Sequence, residues 1–177
     1  MAHKTLLTFP ATALIGDSNE QLEAGDAAAL PDEFKDRPVL VFDDTAEMAA
    51  VSPEVVMPQG DGGYAGGTLK ADIHFFTASA NSDNVDFEAF VEAKTPNTDT
   101  LDLEAATSWD SANAATHALG GTAGDPRMVT VTLTNKDSVA AGDLVRFGIR
   151  RDADDGTNDT ATGDVYVTTV EIWEDTG

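Results

Sequence analysis

The chain contains no cysteine. Disulfide staples, thiolate zinc sites and cysteine nucleophiles are therefore ruled out. Basic residues are scarce: 10 Lys+Arg stand against 32 Asp+Glu, a net charge of −22. A field of that sign repels phosphate, which argues against nucleic acid and against anionic membranes as partners. It suits a chain that must stay dispersed in salty water, where screening cuts self-repulsion off within about 10 Å. It also suits an exposed coat, whose like-charged particles do not clump, or a match to a basic surface. Aromatics make up only 7% of residues, with two Trp and two Tyr. No apolar run approaches the ~20 residues of a membrane-spanning helix. The opening MAHKTLLTFPATALIG carries Lys4 and a cleavage-like Ala11-Thr12-Ala13, but Pro10 and three threonines interrupt its short apolar stretch. It is not expected to act as a signal peptide.

What remains is strand grammar. Pro38–Phe42 is a short apolar run closed by Asp43-Asp44. Met48–Met57 is a second, broken by Pro53, which excludes a regular central strand there. Glycines 60, 62, 63, 66 and 67 make a flexible bend. Leu69, Ala71, Ile73 and Phe75 then alternate with Lys70, Asp72 and His74, and Val85, Phe87, Ala89 and Val91 alternate with Asp86, Glu88 and Glu92. Such alternation predicts half-buried strands with water or another subunit on the polar side. Met128–Thr134, Leu144–Arg150 and Val165–Trp173 repeat the pattern. Val145, Phe147 and Ile149 oppose Arg146 and Arg150, and Gly148 marks a bulge or close crossing. Regular strand spacing with almost no helical period predicts an all-β, antiparallel, jelly-roll-like sandwich over residues 37–177. Residues 1–36 lack the alternation and read as an irregular N-terminal arm or extension, with a short helix between Ser18 and Leu30 capped by Asp17 or Ser18. Trp109 is the expected anchor of the irregular stretch 101–118.

The chemistry-bearing candidates are thin. Asp152, Asp154, Asp155 and Asp159 lie in one acidic loop and are the best candidates for a hard cation such as calcium. Yet Gly156 falls one place early for an EF-hand and no Glu occupies the last ligand position, so the plain reading is a solvated hairpin loop with no metal. His3, His74 and His117 are far apart in sequence, and no G-x-S-x-G elbow is present. The 60–67 glycines lack the lysine and the helix of a phosphate cradle. Asp86, Glu88 and Glu92 resemble paired carboxylates about 7 Å apart on a strand, but read better as a charged outward face. No catalytic residue, no cofactor and no enzymatic activity are expected.

Two segments carry a resemblance. VVMPQGDGGYAGGTLKADIHFFTASANSDNVDFEAFVEA and MVTVTLTNKDSVAAGDLVRFGIRRDADDGTNDTATGDVYVTTVEIW resemble small structural proteins of tailed-phage virions, over roughly residues 37–174. The resemblance implies a jelly-roll head decoration, or cement, protein. Such a protein clamps the major capsid protein on the outer surface of the capsid, as a homotrimer, with the N-terminal arm as a strap. The alternative is a tail or head-fibre module or a carbohydrate-binding sandwich. Sugar binding needs an aromatic platform, and Trp109, Tyr64, Tyr166 and Trp173 are the candidates. Tyr64, on the glycine bend, is expected to be the most exposed of them.

Overall fold

The computed structural model describes residues 2–17, 22, 25–100 and 107–177. In chain order the strands are β1 (His3–Pro10), β2 (Ile15–Gly16), β3 (Ala27–Ala28), β4 (Leu30–Phe34), β5 (Arg37–Phe42), β6 (Met48–Val51) and β7 (Val55–Val56). They continue as β8 (Thr68–Thr77), β9 (Asn84–Lys94), β10 (Asn113–Ala118), β11 (Arg127–Leu133), β12 (Leu144–Arg151) and β13 (Val165–Asp175). A 3-10 turn covers Ala11–Ala13. The protein is an all-β antiparallel sandwich, as the alternation predicts.

The six-stranded sheet runs β11-β8-β13-β5-β4, with β1 alongside the C-terminal half of β13. The seven-stranded sheet runs β10-β9-β12-β6-β2, with β7 beside the start of β12 and the two-residue β3 parallel to β6. From β8 onward the chain passes repeatedly between the sheets, so β8, β11 and β13 lie in one and β9, β10 and β12 in the other. That shuttling gives the fold its jelly-roll character.

The core is the set of alternate positions named in the sequence. Leu69, Ala71, Ile73 and Phe75 face Val85, Phe87, Ala89 and Val91, joined by Val145, Phe147, Ile149, Val165, Val167, Val170 and Ile172 and by Leu40, Phe42, Val129, Val131 and Leu133. Phe87 packs at 5.9 Å from Phe42 and 5.4 Å from Phe75, inside the range where tilted aromatic pairs attract. Pro53 separates β6 from β7 as expected, since a proline cannot donate to the ladder.

The N-terminal region departs from the expectation. Residues 3–10 form a strand paired with β13 from Thr169 to Asp175, with a shift of register between Thr5 and Leu7, and Phe9, Ala11 and Leu14 are buried in the core. The first strand of the chain therefore belongs to the sandwich rather than to an irregular arm. Its sequence shows no clean period of two because β1 buries only Phe9 fully, leaves the rest half-buried or exposed, and shifts register between Thr5 and Leu7. Of the stretch 18–30, where a short helix is expected, residues 18–21 and 23–24 lie outside the described residues, and Ala27–Ala28 and Leu30 are strand. Residues 101–106 of the Trp109 stretch are likewise outside them.

Candidate functional site

The outward faces of the two sheets differ, and the difference locates the candidate site. On the seven-stranded sheet, β9 and β12 are neighbours, with Glu88 opposite Arg150, Phe90 opposite Gly148 and Glu92 opposite Arg146. The acidic row and the arginine pair, separate in sequence, are thus cross-strand partners. Arg150 Nε donates to Glu88 at 2.8 Å and its guanidinium also pairs with Asp26 at 3.2 Å. Glu92 accepts from Arg146 at 2.6 Å, Lys94 at 2.8 Å and the Ser108 N–H at 2.8 Å. This face is roofed by the chain itself. Leu22 sits so close to Gly148 that a Cβ there would come within 2.6 Å of its side chain. The Arg146 guanidinium lies 4.9 Å from the centre of the Trp109 ring. Asp86 and Glu92 are buried, not solvated as the alternation suggested, and Trp109 anchors a covering segment rather than the core.

On the outer face of the six-stranded sheet Lys70, His74, Tyr166, Thr169, Glu171 and Trp173 are half-buried, while Asp72 and Phe76 are buried. Neighbouring positions there are Trp173 and Lys70, Glu171 and Asp72, Thr169 and His74, and Tyr166 and Phe76 across β13 and β8. Met128, Thr130 and Thr132 follow on β11. At one end the His3 imidazole stacks on Trp173, with centroids 4.1 Å apart and planes at 14°, and the Lys70 ammonium lies 4.8 Å from the same ring. At the other end Tyr166 stacks on Phe76 at 5.2 Å and 13°, and Phe34 from the β4–β5 hairpin leans on both. Along β8 the two aromatic groups are six residue steps apart, from Lys70 to Phe76, about 20 Å at the usual rise of a strand. Between them lie His74, Glu171 and the Thr130 hydroxyl, which donates to Asp72 at 2.6 Å. This strip of aromatic ends and polar middle is the candidate binding surface. The sequence placed Trp173 and Tyr166 on one strand. It gave no sign that His3 and Phe34, far along the chain, complete the two groups.

Tyr64 does not join them. It is only 6% exposed, its hydroxyl donates to the Gly67 carbonyl at 3.0 Å and accepts from Lys136 at 2.7 Å, and it packs in the core. The glycine bend turns inward here because Gly60 and Gly62 take φ values of 78° and 81°, which side chains resist. A groove of about 320 Å³ beside it is lined by Gly66, Gly67, Thr68, Leu133, Thr134 and Lys136. The Lys136 ammonium is already committed to Tyr64 and to the Gly67 carbonyl at 3.1 Å.

The acidic loop divides in two. Asp159 is taken out of any ligand set: its oxygens accept from Arg151 Nε at 2.8 Å and Nη2 at 2.9 Å, and from the Asp86 N–H at 3.2 Å. Asp155 is occupied with its own turn, accepting from Thr157 N–H at 2.9 Å and Asn158 Nδ2 at 2.7 Å. Asp152 is the meeting point. Its carboxylate approaches Glu47 and Asp154 in one group and Asp86 and Asp155 in another, with ligand atoms in each group within 4.8 Å of one another. Glu47 and Asp86 come from other strands and loops, which no local motif announces. Burial, then the hydrogen bond with Asp152, pushes the Glu47 carboxyl up to about 7, against the pull of Arg150. Burial likewise raises Asp86 and Asp152.

The sign follows from linkage. A carboxyl whose folded pKa lies above its unfolded value holds its proton better when folded, so stability rises as pH falls from about 7 towards the ordinary 4.5. Glu47→Gln is expected to flatten that part of the melting-temperature profile and to leave the more acidic part unchanged. A wild-type profile that already lacks the rise would refute it.

The histidines remain apart, His3 against Trp173, His74 in mid-face and His117 at 5.6 Å from Phe75. No family model matches the chain, and no curated protein matches it in sequence. Among solved structures, it resembles a carbohydrate-binding module specific for non-crystalline cellulose, at 7% identity and a TM-score of 0.43, over 97% of this chain and 93% of the other. It also resembles a promiscuous carbohydrate-binding module of the β-sandwich superfamily, at 10% identity and a TM-score of 0.35, over 98% of this chain and 56% of the other. At these values both are likenesses of two-sheet architecture, and they leave open what this chain binds.

Proposed function

We propose that the protein is a non-catalytic binding module that takes a carbohydrate chain along the outer face of its six-stranded sheet. One observation carries this reading: two aromatic groups, Trp173 with His3 and Tyr166 with Phe76 and Phe34, flank a polar strip on a sheet face where Trp173, Tyr166, His74 and Glu171 stay half-buried. Sugars offer an apolar face to aromatic rings and hydroxyls to polar neighbours, and an extended glycan needs such contacts repeated along a line. His74, Glu171 and Thr130 supply the polar partners between the rings, and Lys70, paired with Asp175 at 3.2 Å, borders the Trp173 end. The test is a glycan array followed by calorimetry on any hit. Trp173→Ala and Tyr166→Ala are each expected to weaken binding about tenfold or more, a loss of about 1.4 kcal/mol, with the fold intact by circular dichroism. Absence of any hit, or a hit indifferent to both substitutions, would dismiss the assignment.

The second reading is head decoration on a tailed-phage capsid, in contact with the major capsid protein. It rests on the resemblance of residues 37–174 and on the net charge of −22, which keeps coated particles dispersed. It predicts retention on purified capsids, with no glycan required.

A further inference from the structure

The acidity of the chain is not spread evenly. Residues 111–136 contain one acid and two bases, a net charge of +1 within a chain of −22. That stretch builds β10 and β11, the outermost strands of the two sheets on the same flank. The two are fastened together by side chains: Asn113 accepts from the Thr134 hydroxyl at 3.0 Å and the Asn135 N–H at 2.8 Å, and donates to the Asn135 carbonyl at 2.8 Å. The strands on this flank are therefore nearly free of charge, with the carboxylates of Asp110 and Asp137 at one end. Among the described residues the one ion pair on β11, Arg127 with Asp125 at 3.1 Å, closes on itself.

The sheet edges differ in the same sense. An exposed edge strand is a template for another chain unless proline, charge or shortness blocks it. β4 is blocked: it carries Pro31, Asp32 and Glu33, and the Glu33 N–H is already given to the Asp32 side chain at 2.7 Å. β2 has two residues. β11 has seven, with the uncharged β-forming run Met128–Leu133, no proline and no acid, and Met128 is 43% exposed. Such a strand is a liability in a free monomer.

We propose that this flank is a self-association surface, on which β11 pairs antiparallel with β11 of a second copy across a two-fold axis and joins the two six-stranded sheets. The charge pattern selects the occupant. A basic partner would be drawn to the acidic faces and gain nothing here. A second copy brings the same −22, and this flank is where the two meet with the fewest opposed carboxylates. An isologous pairing also needs one surface to match itself, which an uncharged strand edge does.

The test is light scattering on the full chain at several salt concentrations. The expected result is a mass of twice 18.5 kDa at high salt, moving towards the monomer as salt is lowered and the repulsion is unmasked. The double variant Met128→Glu with Thr132→Glu, which puts like charges on both copies, is expected to weaken association at least tenfold while keeping the wild-type circular dichroism spectrum. Should that variant fail to fold, Thr132→Lys alone serves the same purpose. A wild-type monomer at every salt concentration, a trimer, association that strengthens as salt is lowered, or a dimer indifferent to these substitutions would each overturn the proposal.

Discussion

Replacing Arg151 by alanine is expected to cost about 3–5 kcal/mol, the range for removing one partner of a buried ion pair. Arg151 is fully buried, on the last residue of β12, where the acidic loop begins. Its guanidinium grips Asp159 with two nitrogens and also donates to three carbonyls: Ala161 at 2.7 Å, Gly163 at 3.0 Å and Phe42 at 3.4 Å. One side chain thus closes the loop from Asp152 to Asp164 on itself and ties it to the end of β5 in the other sheet. Without it, Asp159 is left as a buried charge and three carbonyls lose a donor, each of which is costly away from water. Lysine should not rescue, because it cannot hold two carboxylate oxygens in the same planar fork. Replacing Arg151 and Asp159 together by leucine should recover much of the loss, since neither charge is then stranded. Urea unfolding of the three variants measures this. A loss under about 1 kcal/mol for Arg151→Ala would show that the loop does not depend on the pair.

Glu174→Gln is expected to destabilise the protein by about 3 kcal/mol near neutral pH, on the same scale for a buried charge pair. Glu174 is 1% exposed near the end of β13. It pairs with Lys4 of β1 and accepts the N–H groups of Gly67 at 2.7 Å and Ala65 at 3.0 Å. It therefore holds the first strand and the glycine bend to the last strand. The bend can approach because residue 67 has no side chain: a Cβ there would lie 2.8 Å from the Glu174 carboxylate. An amide can keep one acceptor for the Gly67 and Ala65 N–H groups, but it then turns its NH2 donor towards the Lys4 ammonium, which loses its countercharge and keeps only the Gly63 carbonyl at 2.6 Å. Burial alone would raise this carboxyl, but Lys4 and the N–H groups of Gly67 and Ala65 outweigh it and hold it below the ordinary value. Its stabilising effect is therefore present above about 4.5 and is lost as pH falls through the lowered folded value. Wild type and variant should converge in acid. Equal spacing of their melting temperatures at all pH values would contradict this account. Proteolysis in the 60–67 bend should also quicken in the variant, because the bend loses its tether.

Glu47 and Glu174 pull in opposite directions with pH, and their environments explain it. Glu47 faces Asp152, Asp154 and Asp26, so burial and like charge favour the proton, with Arg150 opposing. Glu174 faces one ammonium and two backbone donors, so the charged form wins despite deeper burial.

The alternation in Leu69–Phe76, Val85–Glu92, Leu144–Arg150 and Val165–Trp173 was sufficient to place the core, because each strand shows a period of two wherever only one side is apolar. Pro53 and the glycine run marked real interruptions for reasons internal to those residues. The sequence by itself thus determined the fold class, most of the strands and the side of each that is buried. It did not decide what covers the polar sides. Glu88 and Glu92 read as a solvated row because their partners, Arg150 and Arg146, lie more than fifty residues away, and only strand order makes them neighbours. Tyr64 read as exposed because a glycine bend says nothing about which way it folds. β1 read as an arm because its partner is the last strand, at the far end of the chain. Asp159 read as a possible ligand, and the fold turned it to Arg151. In each case the deciding contact is long-range, and long-range contacts depend on topology, which local pattern does not encode. The aromatic face and the flank of nearly uncharged strands are likewise products of strand order: residues dispersed from His3 to Trp173 share a surface only after the sheets have formed.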